Sequence, residues 1–189
     1  MVISADEVPL DQCPEFIGQI YVFHSAVARY FAPSDLCGAG GMYQERIRCN
    51  PSWRGEYAQY DTVFVQTGLD VAGGPGMNGM VIGRICLFFS FTSDLTRYPC
   101  ALVEWYVPTD GIDEDTGMWV VTPEFEHGIS GRRTLAIIHL DCIARAAHLI
   151  PVFGSLLVHE ELYFSNSLDV YQSYFVNNNA DHHCYEFLY

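Results

Sequence analysis

Asp181-His182-His183-Cys184 puts four side chains of zinc-ligating type in one run near the C-terminus. His139, Asp141, Cys142 and His148 form a second stretch that a fold could bring alongside it. Together they would suit a metal-dependent hydrolase or nuclease. Adjacent residues seldom converge on one tetrahedral ion, however, and no ligand pairs stand at zinc-finger spacing. A polar tail without zinc is therefore expected, with His182 and His183 exposed or hydrogen-bonded. The acidic stretch Asp110, Asp113, Glu114 and Asp115 reads D-x-x-D-E-D, which departs from the calcium loop D-x-D-x-D-G and fits a solvated turn. Gly38–Gly41 could offer amides to an anion, but it lacks G-x-G-x-x-G spacing and follows no βα unit. Gly68–Gly79 suggests a phosphate loop, yet no lysine and no helical pattern follow it. Serine, cysteine, histidine and aspartate are scattered without a G-x-S-x-G elbow, so no nucleophilic triad is specified. The expectation is a chain without catalytic residues, metal or cofactor.

Composition narrows the partners. The 189 residues carry a formal charge of −14, and every one of the nine basic residues is an arginine. A Schiff-base lysine and a phosphate-loop lysine are thereby excluded. Phosphate neutralisation needs a basic patch, and only Arg46/Arg48/Arg54 and Arg132/Arg133 cluster even loosely, which disfavours direct nucleic-acid binding. Half the residues are hydrophobic and 14% are aromatic, enough to bury a core in one domain. The seven cysteines are dispersed, odd in number and without a C-x-x-C pair, as buried free thiols of a reducing compartment would be. No signal peptide and no membrane-length apolar run are expected, which points to a soluble, intracellular protein.

These residues must be positioned by a mainly β (α+β) scaffold. Tyr60-Asp61-Thr62-Val63-Phe64-Val65, Val81 to Phe91 and Tyr98 to Tyr106 are β-rich runs separated by turn formers. Gln19 to Phe31 alternates at period two and predicts a strand that includes His24, and Met42 to Cys49 predicts another. Pro51 to Gly55 reads as a linking turn, and Gly68–Gly79 as a long hairpin loop. On the strand Cys100 to Val107, the residues Ala101, Val103, Trp105 and Val107 should point inward, leaving Glu104 and Tyr106 on the other side. Glu104 is exposed by default, with a salt bridge to Arg84 or a place in a pocket as alternatives. Met118 to Val121 and Thr134 to Leu140 are further strands. Asp141 can cap a helical turn in which Ile143, Ala146, Ala147 and Ile150 share one face. A last helix beginning near Ser167 should dock Leu168, Tyr171 and Phe175 on the core. The expected core is Val63, Val65, Ile82, Ile85, Leu87, Val103, Trp105, Ile137 and the Ile143–Ile150 turn. The expected organisation is residues 1–56 as an acidic N-terminal arm and strands, 57–155 as the β core and 156–189 as a C-terminal helix and tail.

Several strings in order resemble the C-terminal region of plavaka-type transposon proteins of mushroom-forming fungi. They are Ala32-Pro33-Ser34-Asp35-Leu36-Cys37-Gly38, Pro51-Ser52-Trp53-Arg54, Leu87-Phe88-Phe89-Ser90-Phe91, Tyr98-Pro99-Cys100-Ala101-Leu102-Val103 with Trp105, Asp115-Thr116-Gly117-Met118-Trp119, Ile138-His139-Leu140-Asp141-Cys142-Ile143, Arg145-Ala146-Ala147-His148-Leu149-Ile150 and Asp181-His182-His183. The likeness covers roughly residues 21 to 188. It implies a transposon origin and carries over no catalytic residue, since that family's catalytic core lies upstream of this region. Asn177-Asn178-Asn179 departs from the family's lysine and aromatic pair. Asp61 to Val65, Ile82 to Ile85 and Val103-Glu104-Trp105-Tyr106 with Pro108 also resemble a bromo-adjacent-homology (BAH) domain, over about residues 57 to 155. Val107 stands where that family usually has an arginine. This likeness implies a distorted β barrel, here with an N-terminal strand extension and a short C-terminal helix.

BAH domains occur in chromatin, and some read histone tails through aromatic cages. The resemblance therefore implies a non-catalytic, nuclear interaction module for a histone tail or a transposase complex. A cation gains from ring faces and nearby carboxylates. The expected binding groove is Tyr106, Trp119 and Glu104 with Asp113 or Asp115. The competing placement for Trp119 is the core. A metal-dependent hydrolase remnant and a degenerate fragment without activity are the other two readings.

Overall fold

The computed structural model describes residues 16–34, 39–66, 77–129, 131–154, 160–163 and 165–188. The arm at 1–15 and the central parts of both glycine loops, 35–38 and 67–76, lie outside the described residues. The protein is mainly β, with a nearly closed, barrel-like sheet and a short C-terminal helix. No helix among the described residues is long and apolar enough to cross a membrane.

The N-terminal part forms β1 (Tyr21–Phe23), β2 (Ser25–Phe31), β3 (Met42–Trp53) and β4 (Tyr57–Tyr60). The strand expected over Gln19 to Phe31 is two strands in different sheets. They part at His24, whose carbonyl accepts the amide of Cys49 at 2.9 Å. β2, β3 and β4 make a three-stranded antiparallel sheet. Pro51 to Trp53, expected as part of a turn, still belongs to β3.

The larger sheet uses β5 (Thr62–Gln66), β6 (Met80–Ser93), β7 (Thr96–Ile112), β8 (Trp119–Pro123), β9 (Leu135–His139), β10 (Ile143–Ala147), β11 (Leu149–Pro151) and β12 (Tyr174–Val176). Its order is β10-β5-β6-β7-β8-β12-β11, with β1 added to β6 and β9 added to β7. The two border strands β10 and β11 are separated in the chain only by His148, so the chain itself bridges the gap. Asn177 ties that corner. Its amide donates to the His148 carbonyl at 2.9 Å, and its Nδ2 donates to His148 Nδ1 at 3.0 Å.

β6 and β7 form the frame of the molecule. A bulge between Ile85 and Leu87 shifts their register by one residue and bends the pair. Their tip is a two-residue turn, Asp94-Leu95, with φ of 48° and 65°. Two left-handed residues match the twist of a hairpin, but leucine is poorly suited to that region. Leu95 is fully exposed, so Leu95→Gly removes backbone strain and loses no packing. It should stabilise the fold by about 0.5–1 kcal/mol, read as a higher urea midpoint at unchanged slope.

At β5 and the adjoining parts of β6 and β7 the sheet buries both faces. Inside the barrel lie Phe64, Ile82, Tyr106, Val121, Tyr174 and Val176. On the opposite face Val63, Val65, Ile85, Phe88, Ala101 and Val103 pack with Ile47, Cys49 and Ile138. This explains the uninterrupted burial of Thr62 to Val65, since a strand covered on both sides cannot alternate. The expected core is therefore divided; Leu87 is only half-buried and in neither cluster, Val107 is exposed, and three further parts of the expectation need correction. Ile137 is 62% exposed, because β9 pairs Ile138 with Ala101 and turns Ile138 inward instead. Ile143 to Ile150 is not helical. Only Leu140–Cys142 makes a turn of 3-10 helix, after which β10 pairs with the buried β5. The helix at Ser167 ends after a single turn, α1 (Ser167–Val170), and Phe175 sits in β12. Leu168 and Tyr171 still pack on the barrel interior, and the C-terminal helix is α2 (His182–Leu188), in the stretch expected to be a polar tail.

Candidate functional site

Tyr106 and Trp119 do lie on one side of the sheet, but that side is the barrel interior. Tyr106 is fully buried and Trp119 is 9% exposed. The Tyr106 ring meets Tyr174 edge to face at 5.7 Å, and its hydroxyl donates to the Leu168 carbonyl at 3.4 Å. Burial pushes its phenol up from the ordinary value. One ring face is covered by the Arg133 guanidinium at 4.7 Å. The cage expected of these residues is thus filled by the protein's own side chains, and the core placement of Trp119 is the observed one. Asp113 is taken up by its own turn. Its Oδ1 accepts the Thr116 hydroxyl at 2.7 Å and the Thr116 amide at 2.9 Å, which hold its carboxyl below the usual range. Asp115 is exposed in the same loop.

Glu104 belongs to a chain of alternating charge at one end of the barrel. Asp169 on α1 takes Arg84 of β6 in two bonds, at 2.5 and 3.3 Å. Arg84 reaches Glu104, its cross-strand partner, at 3.8 Å, and Arg133 reaches the same carboxylate at 3.9 Å. The Arg84 guanidinium also lies over the Tyr60 ring at 5.6 Å. A cleft of about 280 Å³ opens beside it, lined by Tyr57, Gln59, Tyr60, Ser165 and Ser167. Each charge in the chain has an opposite neighbour. The salt bridge from Glu104 to Arg84 is the alternative that the sequence had left open.

The His and Cys candidates are not brought together. His139 Nδ1 accepts the amide of Asp141 at 3.2 Å and caps the 3-10 turn. His148 holds Asn177, His182 is exposed, and the Cys184 thiol donates to the Asn177 carbonyl at 3.4 Å. No group of three His, Cys, Asp or Glu side chains able to hold a metal occurs among the described residues.

Asp181 and His183 instead converge on Arg145, which sequence reasoning passed over. Arg145 is 3% exposed on β10. It binds Asp181 through both terminal nitrogens and donates to His183 Nδ1 at 3.0 Å. Tyr30 lies under its guanidinium at 4.9 Å and stacks on His183 at 5.2 Å. Glu45 accepts the next amide, that of Ala146. The cluster docks α2 and the three-stranded sheet onto β10. Its two carboxylates titrate in opposite senses. Burial raises Glu45 despite the Ala146 amide. Burial also acts upward on Asp181, but the Arg145 guanidinium and the Cys184 amide outweigh it and hold that carboxyl low. A raised carboxylate contributes stability that is present at acid pH and lost as pH rises through its folded pKa. Glu45→Gln should therefore be more stable than the parent at pH 7, with the difference closing at pH 4, as followed by urea unfolding at both values. Asp181 has the reverse sign: its contribution is present above the ordinary value of 3.8 and lost as pH falls through its lowered pKa.

Past this chain of charges, the side of β6 and β7 that carries Tyr106 is only partly covered, with Phe89 and Cys100 buried and its margins in solvent. Register places Glu104, Leu102, Cys100 and Tyr98 of β7 on one side with Leu87, Phe89 and Phe91 of β6. β9 adds Leu135 and Ile137, and β1 adds Val22. Past Glu104, every position on this side of β6 and β7 as far as Phe91 and Tyr98 is apolar, where an antiparallel sheet facing water normally alternates. Ile137, Val22 and Leu135 are 62%, 53% and 43% exposed. Phe16 of the lead-in segment rests edge-on against Phe91 at 5.1 Å. No protein-family model, no curated protein and no solved structure matches this chain.

Proposed function

We infer that the chain is a non-catalytic interaction module that docks a partner protein on the apolar side of β1, β6, β7 and β9 that carries Val22, Leu102 and Ile137. The observation that carries this reading is an apolar side of the sheet that reaches solvent at Val22, Tyr98, Leu135 and Ile137, with Phe89 and Cys100 buried between them; exposed apolar patches of this kind mark interaction sites. The setting follows from the sequence resemblances: a transposon-derived nuclear protein acting within a transposase complex or on chromatin. An apolar face favours a subunit of such a complex over a histone tail, because a cationic tail is read by open aromatic rings and Tyr106 offers none. Nile red, an uncharged dye, reports the face directly. Val22→Asp and Ile137→Asp should each lower its fluorescence while leaving stability within about 0.5 kcal/mol, since both side chains are largely in solvent. Unchanged dye binding in both variants would rule this face out.

A further inference from the structure

We propose that the open edge of β9 accepts an extended strand of another polypeptide, one with apolar residues at alternate positions and a net positive charge. This rests on the interaction-module reading and names the partner's chemistry. β9 is paired by β7 on one side, and no other described strand pairs with it. Its outward N–H and C=O groups therefore form a ready ladder for main-chain pairing. Proteins normally blunt such edges with charge, proline, bulges or short length. Among the other borders β1 and β11 have three residues each and β4 four, β11 ends in Pro151, β2 carries Arg29 and β10 carries Arg145. β9 reads Leu-Ala-Ile-Ile-His, with no formal charge, no proline and no register shift. Alternate side chains of an added strand would extend the rows begun by Leu135 and Ile137.

Size decides between a second folded copy and a single strand. Four strands about 5 Å apart and a handful of residues long give a face of roughly 300 Å². A stable dimer needs about 800 Å² from each partner. One strand needs far less area, because main-chain bonds along β9 add to the apolar contact. Charge decides the sign of the partner. The chain carries −14; at the end of β9 the Asp141 side chain is 89% exposed with no arginine among the described residues paired to it, while Arg132 before the strand is matched by Glu126 at 3.2 Å.

The probe is a capped nine-residue peptide alternating arginine and valine, followed by fluorescence polarisation in low salt. Its control replaces two valines with prolines, which keeps the charge and removes strand pairing. The parent peptide should bind, the proline peptide should lose at least tenfold, and Ile137→Ser should cost the parent peptide about tenfold. Equal binding of the two peptides, no effect of Ile137→Ser, or no binding at all overturns the edge proposal. A concentration-dependent dimer in sedimentation, abolished by Ile137→Ser, would assign the edge to a second copy and overturn it as well. The Nile red result is independent of all four, so the docking face can stand when the edge proposal falls.

Discussion

Tyr106→Ala is expected to unfold the barrel or leave it barely folded. The ring is fully buried at the centre of the inner cluster, against Tyr174 and under Arg133. Truncating a buried aromatic costs about 3–5 kcal/mol, a large part of a domain's whole stability. Arg133 would also lose the ring beneath it. Tyr106→Phe keeps the ring and loses the hydroxyl's contacts, a long bond to the Leu168 carbonyl at 3.4 Å and one with Arg133, so it should cost about 1 kcal/mol. Urea unfolding of the pair checks this. A Tyr106→Ala protein as stable as the parent would mean that the ring is not interior, and the external groove read from the sequence would return.

Arg145→Met carries the second largest effect. It leaves Asp181 without its cation and removes the hub that joins β10, Tyr30 and α2. Breaking a fully buried pair costs about 3–5 kcal/mol, but Asp181 is 34% exposed and water compensates in part, so about 2–3 kcal/mol is expected. The double variant Arg145→Met with Asp181→Asn should recover part of that loss, because no orphaned charge remains. Strict additivity of the two single effects would show that the pair is not coupled. Limited proteolysis should cut within His182–Leu188 in the single variant before the rest of the chain, since α2 is the element that loses its anchor.

The strands were the legible part of this sequence. Thr62 to Gln66, Val81 to Phe91 and Cys100 to Tyr106 announce themselves by β-branched and aromatic content, and the structure places each in the large sheet. Which face each residue takes was not legible. On β7 between Tyr98 and Val107 both alternating sets are apolar, and Glu104, the single carboxylate of that stretch, pulls the reading of its whole set, Tyr106 included, toward solvent. Its charge is in fact met by Arg84 across the ladder and by Arg133 from a distant loop, a non-local compensation that period two does not carry. Ile143 to Ile150 is short enough to read equally as helix or strand, and pairing with β5 settles it. Ile137 and Ile138 are adjacent and alike, so only register tells which one faces inward. Arg145 stood in plain view as the one charge in an apolar strand, a pattern that asks for a buried partner, but Asp181 is 36 residues away in sequence. The partly exposed apolar side was hidden for a related reason: it is built from β1, β6, β7 and β9, and only the pairing brings them side by side.

The central claim is that recognition happens on the apolar side of β1, β6, β7 and β9 and at the β9 edge, away from the acidic loop. Backbone amide spectra of the isotope-labelled protein, recorded while the arginine–valine peptide is added, test it directly. The account predicts shifts concentrated on Thr134 to His139, spreading to Leu102 and Val22, with Asp113 to Asp115 unmoved. Shifts centred on Asp113 to Asp115, with β9 silent, would contradict it and return recognition to simple charge attraction at the acidic turn.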